Sequence, residues 1–248
     1  MVSTVKVDVV APRVATGTTT LGVSGDKLLI PSGVTLTNSG TASGFDSGLN
    51  RQVVYTASTT SGGYSPQSGV TKLIVIVQGG GGGGNRHDSD NAYRHGGGGG
   101  GYVMKYIASV SSTDTMTVTV GTAGAGATSN NAGGGAGTVS SFASVTGTSF
   151  TTLSAGGGAG GSATANVGSA GGTATGGDID IVGCSTTPTS GENGHVSGNS
   201  LLGQGGDSIQ SAYTSYPNAT GYGAGGAYGH ATTAGNGSAG VVIIQEYK

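Results

Sequence analysis

Apolar residues recur along this chain in short runs that have the period of β-strands. Residues 5–9 alternate valine with Lys6 and Asp8, and residues 115–120 read Thr-Met-Thr-Val-Thr-Val. Both patterns predict strands with one buried face. Residues 73–77 are apolar throughout, which predicts a central strand covered on both faces. Apolar residues nowhere recur at i, i+3, i+4 and i+7, so essentially no α-helix is predicted.

Two blocks of six consecutive glycines, residues 79–84 and 96–101, separate the apolar runs in the middle of the chain. Such a block offers only backbone N–H and C=O groups, and these must be paired when they are buried. An extended helix with three residues per turn has no internal hydrogen bonds, so its amides point sideways at neighbouring chains. The two blocks therefore predict two rods of a polyglycine II bundle, joined by a loop over residues 85–95.

Later glycine segments show the same three-residue period. Between residues 221 and 229, glycine occupies positions 223, 226 and 229, which gives the segment one bare face for close packing. Residues 156–162 have a similar pattern. These segments predict further rods, and a small β-sheet formed by the first and last parts of residues 51–248 is expected to clamp the rod ends.

Residues 1–50 differ from the rest of the chain. Their strand patterns are three to five residues long and are separated by tight turns, so each strand is too short to bury its own apolar face. This pattern is typical of a fibrous stalk shared between identical chains. The predicted organisation is thus an attachment and oligomerisation stalk over residues 1–50 and a glycine-rich domain over residues 51–248, with an all-β and irregular fold.

Composition favours an ordered chain without a nucleic-acid or membrane partner. Glycine supplies 55 of 248 residues, but only 8% are charged and the net charge is −2, whereas disordered chains usually carry high charge. No basic stripe is present to bind nucleic acid. The longest aliphatic run has five residues, so no membrane insertion is expected, and no signal-peptide pattern opens the chain. The expected site of synthesis is therefore a cytoplasm. The single cysteine, Cys184, is expected to be a small buried residue.

Charged and aromatic residues concentrate in the predicted loop over residues 85–95. It holds two arginines, two histidines and two aspartates in a chain that is poor in all three. Loops displayed on a rigid scaffold often carry recognition, although a loop that only joins two rods would also be polar. His87, Asp88 and His95 do not have the spacing of a zinc site, so no metal is predicted. The contact residues predicted in this loop are Arg86, His87, Asp88, Tyr93 and Arg94.

Tyrosines form a second cluster, between residues 208 and 228. Tyrosine combines a large stiff surface with a polar tip, which suits contacts with sugars or proteins. Tyr222 and Tyr228 share one face of the predicted rod, which favours packing against the bundle. Tyr213, Tyr216 and Asn218 are the predicted contact residues here, with packing as the alternative. Asp178 and Asp180 resemble one copy of a calcium-binding repeat, but a solvated strand edge is the favoured interpretation.

No catalytic motif is present in the sequence. The chain lacks a P-loop, a nucleophile elbow and a pair of carboxylates placed for glycoside hydrolysis. We therefore predict a protein that is not an enzyme, with no catalytic residue and no cofactor.

The order of the blocks resembles the glycine-rich C-terminal domain of bacteriophage tail fibres and adhesins. The matching segments are residues 70–77 leading into 79–84, then 96–102, 116–121, 134–142, 153–158 and 239–247. The resemblance implies a distal tip of packed polyglycine II helices whose loops bind a host-surface receptor, either an outer-membrane protein or a polysaccharide. It also implies a homotrimer in the virion, attached to a tail or adaptor protein through residues 1–50. The inserts at 85–95 and 177–204 match no family pattern, so binding residues do not follow from it.

Three functions are consistent with these patterns. The favoured one is a phage tail fibre protein that binds its receptor noncovalently. A purely structural virion fibre or decoration protein is the alternative. An ice-binding protein is less favoured, because charged, bulky inserts would spoil a flat ice-binding face.

Overall fold

The structure, a computed structural model, describes residues 48–88, 94–164, 167–187, 195–208, 216–230 and 232–248. The chain divides into two units, Met1–Ser43 and Gly44–Lys248, and every described residue belongs to the second unit. The stalk predicted over residues 1–50 lies outside the described residues except at its last three positions. That stalk therefore stays a prediction.

The described residues form short antiparallel strands and extended segments without any helix, which confirms the predicted all-β and irregular fold class. The strands are β1 (Leu49–Tyr55), β2 (Lys72–Gln78), β3 (Tyr102–Ala108), β4 (Thr115–Thr119), β5 (Ser140–Thr146), β6 (Leu153–Ala155), β7 (Ala174–Thr175), β8 (Ile179–Ile181), β9 (His195–Val196), β10 (Gly203–Gln204), β11 (Asp207–Ser208), β12 (Thr220–Gly221) and β13 (Val241–Tyr247).

Two sheets enclose the hydrophobic core. A five-stranded sheet has the order β1-β13-β2-β3-β8, and a four-stranded sheet has the order β4-β5-β6-β7. The first and last strands of the domain, β1 and β13, are neighbours, as the sequence predicts. Phe142 and Leu153 of the smaller sheet and Leu73 of β2 are fully buried in one cluster between the sheets. Two further pairs, β10 with β12 and β9 with β11, lie outside these sheets.

Strand β2 lies at the centre of the five-stranded sheet but is covered on only one face. Leu73, Val75 and Val77 point into the core and are fully buried. Ile74 and Ile76 point to the other face and remain half-buried. The prediction of a strand covered on both faces is therefore wrong for the described domain, because the four-stranded sheet packs on one side only.

The first glycine block, residues 79–84, is the central rod of the bundle. Its amides donate to three rods that run antiparallel to it: Gly79 N–H to Gly101 O (2.9 Å), Gly80 N–H to Thr138 O (3.0 Å) and Gly81 N–H to Ser238 O (2.9 Å). The next three glycines repeat these bonds one turn further, to Gly98, Gly135 and Gly235. Its carbonyls accept from three parallel rods, through the amides of Gly158, Gly124 and Gly226.

The neighbouring backbones lie very close to the central rod, and their arrangement around it repeats every three residues. A Cβ built on Gly79 or Gly82 would meet the carbonyl oxygen of Gly156 or Ala159 at 2.1 Å. Gly80 and Gly83 face the rod at residues 122–125 in the same way, and Gly81 and Gly84 face the rod at residues 224–227. Positions three apart therefore face the same neighbour, which is the packing of an extended helix with three residues per turn. The predicted polyglycine II bundle is present.

At the edge of the bundle, side-chain oxygens accept hydrogen bonds from backbone N–H groups of the rods. The pairs are Gly126 N–H with Asn236 Oδ1 (2.7 Å), Asn236 N–H with Asn218 Oδ1 (2.8 Å), Gly205 N–H with Asn199 Oδ1 (2.7 Å), Gly121 N–H with Ser140 Oγ (2.8 Å) and Thr122 N–H with Thr138 Oγ1 (2.7 Å). Serine, threonine and asparagine are the side chains best suited to bonding nearby backbone. They close the edges of the bundle without adding another rod.

Replacing Asn236 with alanine is expected to lower the free energy of unfolding by about 1–2 kcal/mol, because the part-buried Gly126 amide loses its acceptor. Asn236→Asp keeps an acceptor oxygen and should retain most of the stability. Denaturant unfolding of the three proteins measures the difference, and amide hydrogen exchange at Gly126 locates it. Equal stability of the alanine and aspartate variants would contradict this role.

Candidate functional site

In the part of the chain that the structure describes, rods that follow one another have ends at the side of the bundle that lies away from the two sheets, here called the loop end. The direction of each rod follows from its hydrogen bonds to its neighbours. The described rod ends that lie there are residues 84 and 96, 127 and 134, 161 and 169, 186 and 197, 208 and 216, and 229 and 234. The loop predicted over residues 85–95 is one of these connections. The loop end thus gathers segments from most of the domain onto one surface.

Arg86 fixes the beginning of the loop over residues 85–95. Its Nε and Nη2 donate to the two carboxylate oxygens of Asp88 at 3.0 and 3.1 Å, a two-point pairing that holds both side chains in one orientation. Its Nη1 donates to Thr128 O at 2.6 Å, and the Asp88 N–H donates to Asn130 Oδ1 at 2.9 Å. Two loop-end connections are therefore bonded together, and Arg86 and Asp88 remain partly exposed.

The connection over residues 128–132 is a part of the loop end that the sequence patterns did not predict. Thr128, Asn130 and Asn131 are exposed, and Asn131 adopts a positive φ of 58°. Asparagine tolerates this conformation better than most residues, so the Ser-Asn-Asn triplet at residues 129–131 was a usable turn signal. Residues 128–132 contain no charged or aromatic residue, so their sequence does not indicate a contact with the loop that begins at Arg86.

His87 lies beside Arg86 and Asp88 and is also partly exposed. Its backbone N–H donates to Gly229 O at 3.1 Å, which joins a third connection to this group. Asn85 closes the base of the loop: its N–H donates to His95 O, and its Oδ1 accepts from the His95 N–H at 2.9 Å. Three of the predicted contact residues, Arg86, His87 and Asp88, therefore share one supported surface.

Arg94 and Tyr216 are buried and pack around Tyr228, the residue before Gly229. Arg94 is 3% exposed, and its guanidinium carbon lies 5.3 Å from the ring centroid of Tyr228, within cation–π range. Tyr216 is 5% exposed, its ring centroid lies 5.6 Å from that of Tyr228, and burial raises the pKa of its hydroxyl. The structure thus places these two predicted contact residues in the packing that supports the loop end.

Asn218 lies on the side of the bundle, apart from Arg86. It is exposed and lines an open groove of about 490 Å³ together with Asn236 and the rod at residues 123–125. Its Oδ1 accepts from the Asn236 N–H at 2.8 Å. Tyr93 and Tyr213, the other predicted contact residues, lie outside the described residues.

The two aspartates at the sheet edge have structural partners. Asp178 accepts from the Tyr106 N–H at 2.8 Å and from Lys105 Nζ at 3.1 Å, and these bonds lower the pKa of its carboxyl. Asp180 Oδ1 accepts from the Gly177 N–H at 3.0 Å. These three bonds fit the strand-edge interpretation. No cluster of histidine, cysteine or acidic side chains that could hold a metal occurs among the described residues.

Cys184 corrects a further expectation, because it is exposed and not buried. Two apolar neighbours in the chain, Ile181 and Val182, suggested an interior segment. Both are themselves exposed, at 41% and 61%, because strand β8 forms the edge of the five-stranded sheet. Apolar sequence alone does not distinguish a core position from an uncovered edge.

Rods held together by their own amides, with loops displayed at one end, define this chain as a glycine-rich β-domain. A family model described as a glycine-rich domain matches residues 56–247, and the chain therefore belongs to that family. A comparison with curated proteins found no match. Among the described residues, no helix has the length and apolar character needed to cross a membrane.

Proposed function

We propose that this protein is the distal, receptor-binding part of a bacteriophage tail fibre, and that it binds a host-cell surface noncovalently through the loop end. The observation that carries the proposal is the gathering of the rod connections at one end of the bundle. The sequence concentrates charged residues in one of these connections, residues 85–95, which also holds a tyrosine. The resemblance of the block order to phage fibre tips supplies the biological setting.

In this proposal the rods serve as a rigid scaffold and do not recognise the ligand themselves. Each glycine of the central rod is packed against backbone, so the bundle interior has no room for side chains that would recognise anything. Specificity must then reside in the loops and in edge side chains. A scaffold that is already ordered also lowers the entropy that binding must overcome.

Arg86, His87 and Asp88 are the described residues best placed for the proposed contact. Their backbone and side chains are bonded to the connections at residues 128–132 and 228–230, so the charges are displayed in a fixed arrangement. Arg94 and Tyr216 would act by holding this arrangement from below. Tyr93, Tyr213 and Asn218 remain proposed contacts, and the receptor class remains an outer-membrane protein or a polysaccharide.

Replacing both Tyr93 and Tyr213 with alanine is expected to reduce binding of the purified, fluorescently labelled protein to susceptible bacteria by at least about tenfold, since buried tyrosines dominate many contact surfaces. Tyr222→Ala is the matched control, because residue 222 precedes Gly223, which lies beside Gln78 and Gly79 at the sheet end of the rods. Adsorption of phage particles carrying the same changes gives a second measurement. Intact particles with unchanged adsorption would instead support a purely structural virion role.

A further inference from the structure

An asparagine followed directly by a glycine, Asn236-Gly237, lies in the rod over residues 234–240. Such a pair is chemically labile in an unfolded chain, because the backbone nitrogen of the glycine can attack the side-chain carbonyl carbon of the asparagine. Glycine makes this approach easy, since it has no side chain and few conformational restrictions. The sequence contains one other pair of this kind, residues 193–194, which lies outside the described residues.

The packing of the bundle requires both members of the pair. A Cβ on residue 237 would lie 2.2 Å from the carbonyl oxygen of Gly81, so this position must be glycine. The Oδ1 of Asn236 accepts from the Gly126 N–H at 2.7 Å, so asparagine supplies an acceptor at the bundle edge. Asn236 is also exposed, so water can reach its carboxamide and ammonia can leave it. The bundle therefore retains a reactive pair at a position that solvent can reach.

The folded bundle holds both reacting groups in hydrogen bonds to the same neighbouring rod. Asn236 Oδ1 is bonded to the Gly126 N–H, and the Gly237 N–H donates to Gly124 O at 2.9 Å. The Asn236 N–H is held as well, by Asn218 Oδ1 at 2.8 Å. Attack requires the Gly237 nitrogen to give up its bonded proton and the carboxamide to rotate out of its own bond. The reaction therefore requires this part of the rod to separate from its neighbours.

We propose that Asn236 is a site of spontaneous modification, and that its reaction is confined to molecules in which this part of the rod has separated from its neighbours. The Gly237 nitrogen loses its proton and bonds to Asn236 Cγ, the Cγ–Nδ2 bond breaks, and ammonia leaves with the proton. Water then opens the resulting cyclic imide. Opening at Cγ gives aspartate, and opening at the main-chain carbonyl carbon gives isoaspartate.

The two products have different consequences for the bundle. Aspartate keeps an acceptor oxygen for the Gly126 N–H and leaves the main chain unchanged. Isoaspartate carries the main chain through Cβ and Cγ, which adds an atom to the backbone just before Gly237. The bond from the Gly237 N–H to Gly124 O and those after it then lose their spacing relative to the bonds before them. We expect the rod to close again with aspartate and to stay open with isoaspartate. This inference is independent of receptor binding at the loop end.

The rate of ammonia loss from the full chain, folded and in denaturant, tests the proposal. Chymotrypsin cleaves after tyrosine, so residues 229–247 form one peptide that contains Asn236 and not Asn193. Mass spectrometry of this peptide after incubation at one pH and temperature gives the rate. We expect the rate to be at least about tenfold lower in the folded protein, because the reaction must wait for local opening. Equal rates in the two conditions would overturn the proposal.

Two alanine variants test whether opening of this rod limits the rate. Asn218→Ala removes the acceptor of the Asn236 N–H, so it should raise the rate in the folded protein about threefold or more. Asn199→Ala is the matched control, because Asn199 is also exposed and its Oδ1 accepts from the Gly205 N–H at 2.7 Å, on a different rod. It should leave the rate unchanged, and in denaturant all three proteins should react equally fast. An unchanged rate in Asn218→Ala, or equal increases in both variants, would overturn the proposal.

The distribution of the two products tests their different consequences. After long incubation of the folded protein, size-exclusion chromatography separates folded chains from unfolded and aggregated ones. Chromatography of the 229–247 peptide from each fraction then distinguishes aspartate from isoaspartate. We expect isoaspartate in the unfolded fraction and aspartate in both. Equal shares of isoaspartate in the two fractions would overturn the proposed difference between the products.

Discussion

Replacing Gly81 with alanine is expected to prevent stable folding of the glycine-rich domain. A Cβ at this position would lie 1.9 Å from the carbonyl oxygen of Ala224, an approach that no rotamer can relieve because the neighbour is backbone. Moving the rods apart would break bonds on several sides, including Gly81 N–H to Ser238 O and Gly124 N–H to Gly81 O. We expect a loss of about 5 kcal/mol or more, at the upper end of single-substitution effects.

Gly48→Ala is the matched control for this substitution, because a Cβ at Gly48 meets no atom within 4 Å. Gly48→Ala makes the same change of one hydrogen to one methyl group. Its free energy of unfolding should lie within about 0.5 kcal/mol of that of the parent protein. Thermal and denaturant unfolding, followed by circular dichroism, compare the three proteins. A Gly81→Ala protein that unfolds at the parent's midpoint would show that the rods are loosely packed and that their bonds contribute little.

The sequence predicts the rods well because their cause is local. Six residues without side chains, as in 79–84 and 96–101, have few ways to satisfy their buried amides, and the extended three-fold helix is one of them. The sequence does not predict which rods become neighbours. The bonds from Gly81 to Ser238 and from Gly79 to Gly101 join segments whose glycines are chemically identical, so only the three-dimensional packing selects the pairs.

The sequence predicts a loop over residues 85–95 between two rods, but it does not predict which side chains near that loop are buried. Residues 85–95 stand out by composition, and the described residues 85–88, 94 and 95 of this segment lie at the loop end. Composition does not reveal that Arg94 turns inward onto Tyr228, because a charged side chain is normally assigned to the surface. Nor does it reveal that Tyr216 joins the same packing, since tyrosine suits both a contact surface and an interior.

The rods and the sheets make different contributions to stability. The rods contribute backbone hydrogen bonds, and the sheets contribute most of the apolar burial. The rods leave little room for side chains, so apart from a few alanines and the Tyr216–Tyr228 packing they bury little apolar surface. The domain places Leu73, Phe142 and Leu153 between the sheets instead. The sheet core therefore holds the ends from which the rods begin. A change that destabilises the sheets is therefore expected to destabilise the rods as well. Substitutions around a buried charge in the sheet core should have large effects on the stability of the whole domain.

Glu246 is that buried charge. Its side chain is fully buried on β13, where its Oε1 accepts from Arg51 Nη2 at 2.7 Å and from the Tyr64 hydroxyl at 2.9 Å. The hydrogen bond with Glu246 raises the pKa of Arg51, and burial followed by the nearby carboxylate raises the pKa of Tyr64. Both groups therefore keep their protons at neutral pH and stay available as donors to the carboxylate.

Arg51→Met is expected to lower the free energy of unfolding by about 3 kcal/mol, because it leaves the Glu246 carboxylate buried without its cation. We take the lower end of the range for a broken buried pair, since the Arg51 side chain is 36% exposed and water can partly replace it. Denaturant unfolding of the variant and the parent at neutral pH measures the deficit.

Two further variants separate a lost ion pair from lost packing around Arg51. The double variant Arg51→Met, Glu246→Leu removes both charges, and it should recover much of the stability because apolar groups of similar size can replace a buried pair. Lys105→Met removes a cation whose partner, Asp178, is 51% exposed, so it should cause a much smaller change. If the double variant were as unstable as Arg51→Met alone, the deficit would come from lost packing, and the ion pair would contribute little to holding the sheets together.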